Sequence, residues 1–189
     1  VLTSLLKQLI FFSAISNDSI NCFISALKNS LYKENNSSIL SCNINDFFKD
    51  QTGNIWIATD GGINKVTSSN VWSKFTKASN TFNADKVLKV TGTINDNIWI
   101  LTSAGLSNYK NGKWVNYGKT FGNVVFNNIS TIKYDVYNEV VWFVDSRTND
   151  LVKFDGVVSQ VYNSNNSLIP SNTRISELEI GADSVLYLA

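Results

Sequence analysis

The chain has 189 residues, 43% of them hydrophobic and 16% charged, with a formal net charge of +1. That balance suits one globular domain with a real core and gives no basic field for a polyanion, so nucleic acid is not an expected partner. Histidine is absent, which removes the commonest general base and the commonest metal ligand, and no cofactor or metal site is expected.

Residues 1–34 carry two apolar patterns at helical spacing. Leu2, Leu5, Leu6, Leu9 and Ile10 form one; Ile20, Phe23, Ile24, Leu27 and Leu31 form the other, with Ser16 to Ser19 as a stop and cap between them. They read either as two short helices or as the remnant of a secretory signal, with Lys7, the apolar run to Phe12, and small residues from Ser13 to Ser16. Cys22 and Cys42 fit neither a zinc site nor a disulfide framework; a pair in an oxidising compartment and two free thiols both stay open. Residues 30–36 are a candidate strand for closing a ring.

From residue 35 to 189 the chain repeats. Asn54-Ile55-Trp56-Ile57-Ala58-Thr59 returns as Asn97-Ile98-Trp99-Ile100-Leu101-Thr102, then more loosely as Val140-Val141-Trp142-Phe143-Val144-Asp145. The three tryptophans stand 43 residues apart, and Val185-Leu186-Tyr187-Leu188 begins a fourth copy. Each copy holds short β-type runs separated by Gly, Asn and Asp turns. A four-strand unit with a period of about 40–45 residues is one blade of a β-propeller. Blades are expected at about 42–76, 86–118 and 128–162, with an incomplete one at 173–189. The segments 77–85, 119–127 and 163–172 are polar and Asn-rich and are expected as loops between blades. Runs such as Ile55 to Ala58 are apolar on both faces, which needs cover on both sides. The fold expected is therefore all-β, a propeller fragment of three and a half to four blades. Methionine is absent, the initiator included, and the chain stops inside a repeated strand. The expectation is a piece of a longer protein, with the rest of that chain or a second copy closing the propeller.

The stretch Ile44 to Val66, with Asp50, Gly53, Trp56, Thr59 and Gly62 in place, resembles the two-component regulator propeller repeat. Unit two keeps Trp99, Thr102 and Gly105; unit three keeps Trp142 and has Asp150 in place of the glycine. The resemblance implies the extracytoplasmic sensor part of a two-component regulatory protein, periplasmic or secreted, with carbohydrate as the ligand class. It also leaves room for a structural repeat of a secreted protein. Streptogramin lyases are propellers with similar Trp-containing repeats, but they rely on histidine and a metal ion, so no enzyme is expected here.

The repeated tryptophans lie within apolar runs and read as core; Trp72 and Trp114 read as packing or rim residues. Loop positions are better candidates for binding. In a propeller the link between second and third strands and the link between blades open on one face, around the channel mouth. That face would gather Asp60, Ser103, Asp145, Arg147 and Arg174, with Asn83, Asn128 and Asn172 nearby. Asp60 and Asp145 are expected at equivalent positions. Arg147 and Arg174 are the chain's only arginines, and a guanidinium suits carboxylate or sulfate. The ring so read fits a polar ligand with an anionic group.

Overall fold

The computed structural model describes residues 39–189 apart from 42, 80–81, 94–96, 122–123, 127 and 172–173. The helical or signal-like reading of 1–34, the strand at 30–36 and both cysteines lie outside the described residues.

Each repeat folds as a meander. Blade one comprises β1 (Ile44–Lys49), β2 (Ile55–Thr59), β3 (Gly62–Val66) and β4 (Trp72–Phe75), hydrogen-bonded in that order. Blade two comprises β5 (Val87–Gly92), β6 (Ile98–Thr102), β7 (Gly105–Lys110) and β8 (Lys113–Gly118). A short hairpin follows, β9 (Thr120–Phe121) against β10 (Val124–Val125). Blade three comprises β11 (Ile129–Asp135), β12 (Val140–Asp145), β13 (Asp150–Phe154) and β14 (Ser159–Tyr162). The fourth repeat contributes β15 (Leu178–Ile180) and β16 (Leu186–Leu188). All described pairings are antiparallel.

The first strands stand side by side: β5 packs against β1 and β2, β11 against β5, and β15 against β11. The blades are thus set radially about one axis, as the period predicts. Two side chains tie neighbouring inner strands. The Val90 amide donates to Asp46 Oδ2 at 3.0 Å, and the Tyr134 amide donates to Thr91 Oγ1 at 3.1 Å. An inner strand has one edge without a β-partner, and these bonds satisfy donors there.

The core lies between the blades. Trp56, Ile63, Val87 and Ile100 fill the space between blades one and two. Trp99, Leu106, Phe143 and Phe154 fill that between blades two and three, and Val144, Leu151, Ile175 and Leu178 that between three and four. Burial on both faces explains why β2, β6 and β12 are apolar up to their last residue instead of alternating.

The interblade segments depart from the expected polar loops. Phe82 is buried against Trp114, with ring centroids 5.0 Å apart. Phe121 and Phe126 are buried beside Phe143, and the second interblade segment holds the β9–β10 hairpin. An aromatic residue in a linker plugs the wedge between sheets that splay outward from the axis. A mean polarity for the segment hides a single such residue.

Candidate functional site

The turns after β2, β6 and β12 do lie at one end of the blades with the segments that enter β1, β5 and β11. Three equivalent backbone bonds show it: Asp60 N to Asn43 O at 3.1 Å, Ser103 N to Lys86 O at 3.0 Å, and Ser146 N to Asn128 O at 2.9 Å. They also correct the expected ring. Asp60 and Ser103 correspond to Ser146, and Asp145 corresponds to Thr59 and Thr102.

The physical reason is turn length. Thr59 pairs with Gly62 and Thr102 with Gly105 across two-residue turns, whereas Asp145 pairs with Asp150 across four residues. Gly62 and Gly105 hold φ of 133° and 116°, where an L side chain is strained. Asp150 replaces that glycine, and the longer turn lets Asn149 take the left-handed conformation at φ 60°. Thr59 Oγ1 and Thr102 Oγ1 donate to the carbonyls of Gly62 and Gly105, each at 2.9 Å. Asp145 does comparable work: buried, it accepts from the Arg147 amide at 3.0 Å.

Asp60 is held from three sides. Asn45 Nδ2 donates to Oδ1 at 2.9 Å, Asn43 Nδ2 to Oδ2 at 3.2 Å, and Lys86 Nζ lies 3.4 Å from Oδ1. The same Asn45 amide donates to the Val87 carbonyl at 2.7 Å in the next blade. The Asn45 amide, against a burial penalty and with help from Lys86 and Asn43, keeps the Asp60 carboxyl below the usual carboxylate range. Asp60 is thus a clasp between blades one and two. In blade three the clasp is neutral, with Asn128 Nδ2 donating to Ser146 Oγ at 2.7 Å.

Arg147 and Arg174 are both exposed. The Ile175 amide donates to Asn149 Oδ1 at 2.8 Å, which joins the turn bearing Arg147 to the segment bearing Arg174. Neither guanidinium has a carboxylate partner among the described residues. Ser103 is exposed on the same rim. Among the described residues no three of His, Cys, Asp and Glu come together as metal ligands would.

At the other end of the blades a second constellation repeats, unnoticed in the sequence. The Trp56 indole N–H donates to Asp50 Oδ2 at 3.2 Å, and the Trp142 indole N–H to Asp135 Oδ2 at 3.5 Å. Asp50 also accepts from the amide and hydroxyl of Thr52 and from the amide and side chain of Asn54. Each aspartate thus closes its own turn and anchors its own tryptophan. Thr93 occupies this position in blade two, since its amide donates to the Asn97 carbonyl as that of Asp50 does to Asn54. The buried Trp99 indole N–H has no acceptor among the described residues. Blade two uses another network there: Asn108 Nδ2 donates to Asn97 Oδ1 at 2.7 Å, and Asn97 Nδ2 to the Tyr134 hydroxyl at 2.9 Å. Burial, with Glu139 and Asp135 nearby, pushes the Tyr134 phenol up to about 12, so it stays protonated.

This second end holds a cavity of about 260 Å3. Phe48 and Lys49 reach it from blade one, Thr93 from blade two, Lys133 and Tyr137 from blade three, and Gly181 from the fourth repeat. Another cleft, of about 310 Å3, lies beside β16 between Leu168, Pro170, Ile175 and Leu188. It has no charged side chain to orient a ligand.

No protein-family model matches the chain, and no curated protein matches it either. Solved structures do. The extracellular domain of BT3049 from B. thetaiotaomicron, described as a hybrid two-component system, is 20% identical with a TM-score of 0.56, over 77% of this chain and 22% of that one. The extracellular domain of BT4673 from the same organism, described as a one-component system, is 14% identical with a TM-score of 0.57, over the same 77% and 22%. Virginiamycin B lyase from Staphylococcus aureus is 12% identical with a TM-score of 0.59, over 81% of this chain and 50% of that one. The chain therefore spans about a fifth of these extracellular domains and half of the lyase. At such identities the likeness is one of fold. The radial four-stranded sheets share their architecture with these proteins.

Proposed function

We propose that this chain is ligand-reading propeller of an extracytoplasmic sensor, and that it binds rather than catalyses. Its fold is shared with extracellular domains of a one-component and a hybrid two-component system, and its sequence offers no histidine for acid–base work. The ligand proposed for the rim is a polar molecule with an anionic group, carbohydrate being the class that the repeat resemblance implies.

The observation that carries this reading is the Asn149–Ile175 bond, which keeps on adjoining segments two exposed arginines that have no carboxylate partner among the described residues. Planar guanidinium groups bind carboxylate or sulfate through paired donors. Asp60 and Asp145 enter the proposal only as supports, since both are already engaged within the fold. A charge-assisted hydrogen bond is worth about 1.5–3 kcal/mol, so losing one weakens binding about tenfold or more. Calorimetric titration with a sulfated disaccharide is expected to show that loss in both Arg147→Ala and Arg174→Ala, with melting temperatures unchanged. Equal affinity in both variants would return the arginines to the solvated surface and leave the interaction role without a site here.

A further inference from the structure

We infer that the cavity at the end opposite the arginine rim is a second binding site, taking a single-ring organic acid. It is built where the four inner strands end, so each repeat supplies part of its wall. Its about 260 Å3 falls just below the usual range of about 300–1,000 Å3 for ligand pockets, which limits the occupant to roughly one ring.

The walls define the chemistry. Tyr137 is 56% exposed, and its hydroxyl donates to the Ala182 carbonyl at 3.4 Å, which sets the ring across the gap between blade three and the fourth repeat. A ring held that way offers a face for stacking against a second ring. Phe48 adds an apolar wall, half-buried against the core of blades one and two. Lys133 reaches the cavity with its charge already matched, since its Nζ lies 2.7 Å from Glu179 Oε2. Lys49 is exposed and has no carboxylate partner among the described residues, so one positive charge is left over. The matching positions Asp50 and Asp135 spend their carboxylates on their own turns and tryptophans. Blade two presents Thr93 in that place, a neutral hydroxyl at the cavity wall. One unmatched lysine, a hydroxyl and an aromatic face suit a ring carrying one carboxylate.

Both a uronic acid and an aromatic acid have this chemistry, and titration distinguishes them. The probes are glucuronate and benzoate, with glucose and benzamide as their neutral counterparts, followed by calorimetry and by chemical-shift changes. Saturable binding of either acid, at least tenfold tighter than its neutral counterpart, supports the site and identifies its source. Binding is expected to fall at least tenfold in Lys49→Ala, Tyr137→Ala and Thr93→Asp, each made in the Arg147→Ala, Arg174→Ala background, which removes the rim as a second source of acid binding. Thr93→Asp is the sharpest of these, because the new carboxylate repels the ligand while giving the Trp99 indole the acceptor that Trp56 and Trp142 have. A melting temperature at or above that of the parent shows that its fold is kept. The site is overturned if neither acid binds, if the neutral probes bind equally well, or if binding follows the arginines instead of Lys49. The last result would still leave the rim reading intact, and loss of rim binding alone would leave this one intact.

Discussion

Blades one and two share one motif and solve one problem in two ways. In blade one, Asp50 gathers five donors, the Trp56 indole among them, and the turn and the core are held by a single carboxylate. In blade two, with Thr93 in that place, the Trp99 indole N–H has no acceptor among the described residues, and the end of the strand is tied through Asn108, Asn97 and Tyr134 to blade three. Blade one is braced within itself; blade two is braced against its neighbour. A repeat can therefore lose a conserved-looking bond and keep its fold, provided that the adjoining sheet supplies a replacement contact. The packing of the indole is retained in both, since Trp99 stacks on Tyr117 with centroids 5.3 Å apart and Trp56 on Phe75 at 5.7 Å.

The largest expected effect breaks this comparison at its centre. Asp50→Ala leaves the Trp56 indole and the turn donors unsatisfied, at a cost of about 3 kcal/mol or more. Asp135→Ala is expected to cost less, about 1–2 kcal/mol, because its indole bond is 3.5 Å long and Trp142 is only half-buried. Thr93→Ala has no indole bond to lose and is expected to cost under about 1 kcal/mol. Urea unfolding of the three variants gives the order directly, and equal losses at all three positions would remove the distinction between the blades.

Next comes the turn that blades one and two share and blade three lacks. A Cβ at Gly105 would overlap the Gly118 carbonyl oxygen, at a φ that L residues rarely adopt. Gly105→Ala is expected to cost about 3 kcal/mol, from the strained backbone plus the displaced neighbour. Gly112→Ala, where a Cβ meets nothing within 4 Å, is the control for φ alone and is expected to cost about 1 kcal/mol. A pair of equal melting temperatures would show that the close approach of β7 to Gly118 does not matter.

The smallest effect concerns the seam between inner strands. Burial pushes the Asp46 carboxyl above its ordinary value, against the opposing pull of Lys89 and the Val90 amide, and Glu177 adds to the rise. A raised carboxyl favours the protonated form in the fold, so its ionisation lowers stability as pH rises through the elevated folded value, and no penalty remains below the unfolded one. Asp46→Asn keeps an acceptor for the Val90 amide. It is expected to raise the melting temperature slightly at pH 7, with the gain disappearing as pH falls below the normal carboxylate range. A gain that persists in acid would show that ionisation is not its cause, and a loss at pH 7 would show that the charge stabilises the seam.

How much of this was legible follows the range of the forces involved. The 43-residue spacing of Trp56, Trp99 and Trp142, the apolar runs around them and the Gly62 and Gly105 turns are local signals, so the all-β fold of repeated four-stranded units could be read directly. So could the burial of Trp56 and Trp99, because a run that is apolar on both faces has only one kind of place to go. The Asp50–Trp56 and Asp135–Trp142 pairs were written there too, six and seven residues apart, but passed unread because Thr93 interrupts the series.

What the tertiary structure decided is everything that depends on two blades at once. Asp60 and Asp145 look alike in sequence, yet a turn two residues longer puts one at a clasp and buries the other. Phe82, Phe121 and Phe126 sit in polar segments and become core only because radial sheets leave a wedge to be filled. The link between the turn bearing Arg147 and the segment bearing Arg174 rests on one bond across 26 residues, and the cavity at the far end draws on all four repeats. A repeated sequence carries the shape of its unit; the angle between units, which places side chains from different blades together, emerges only when the units pack.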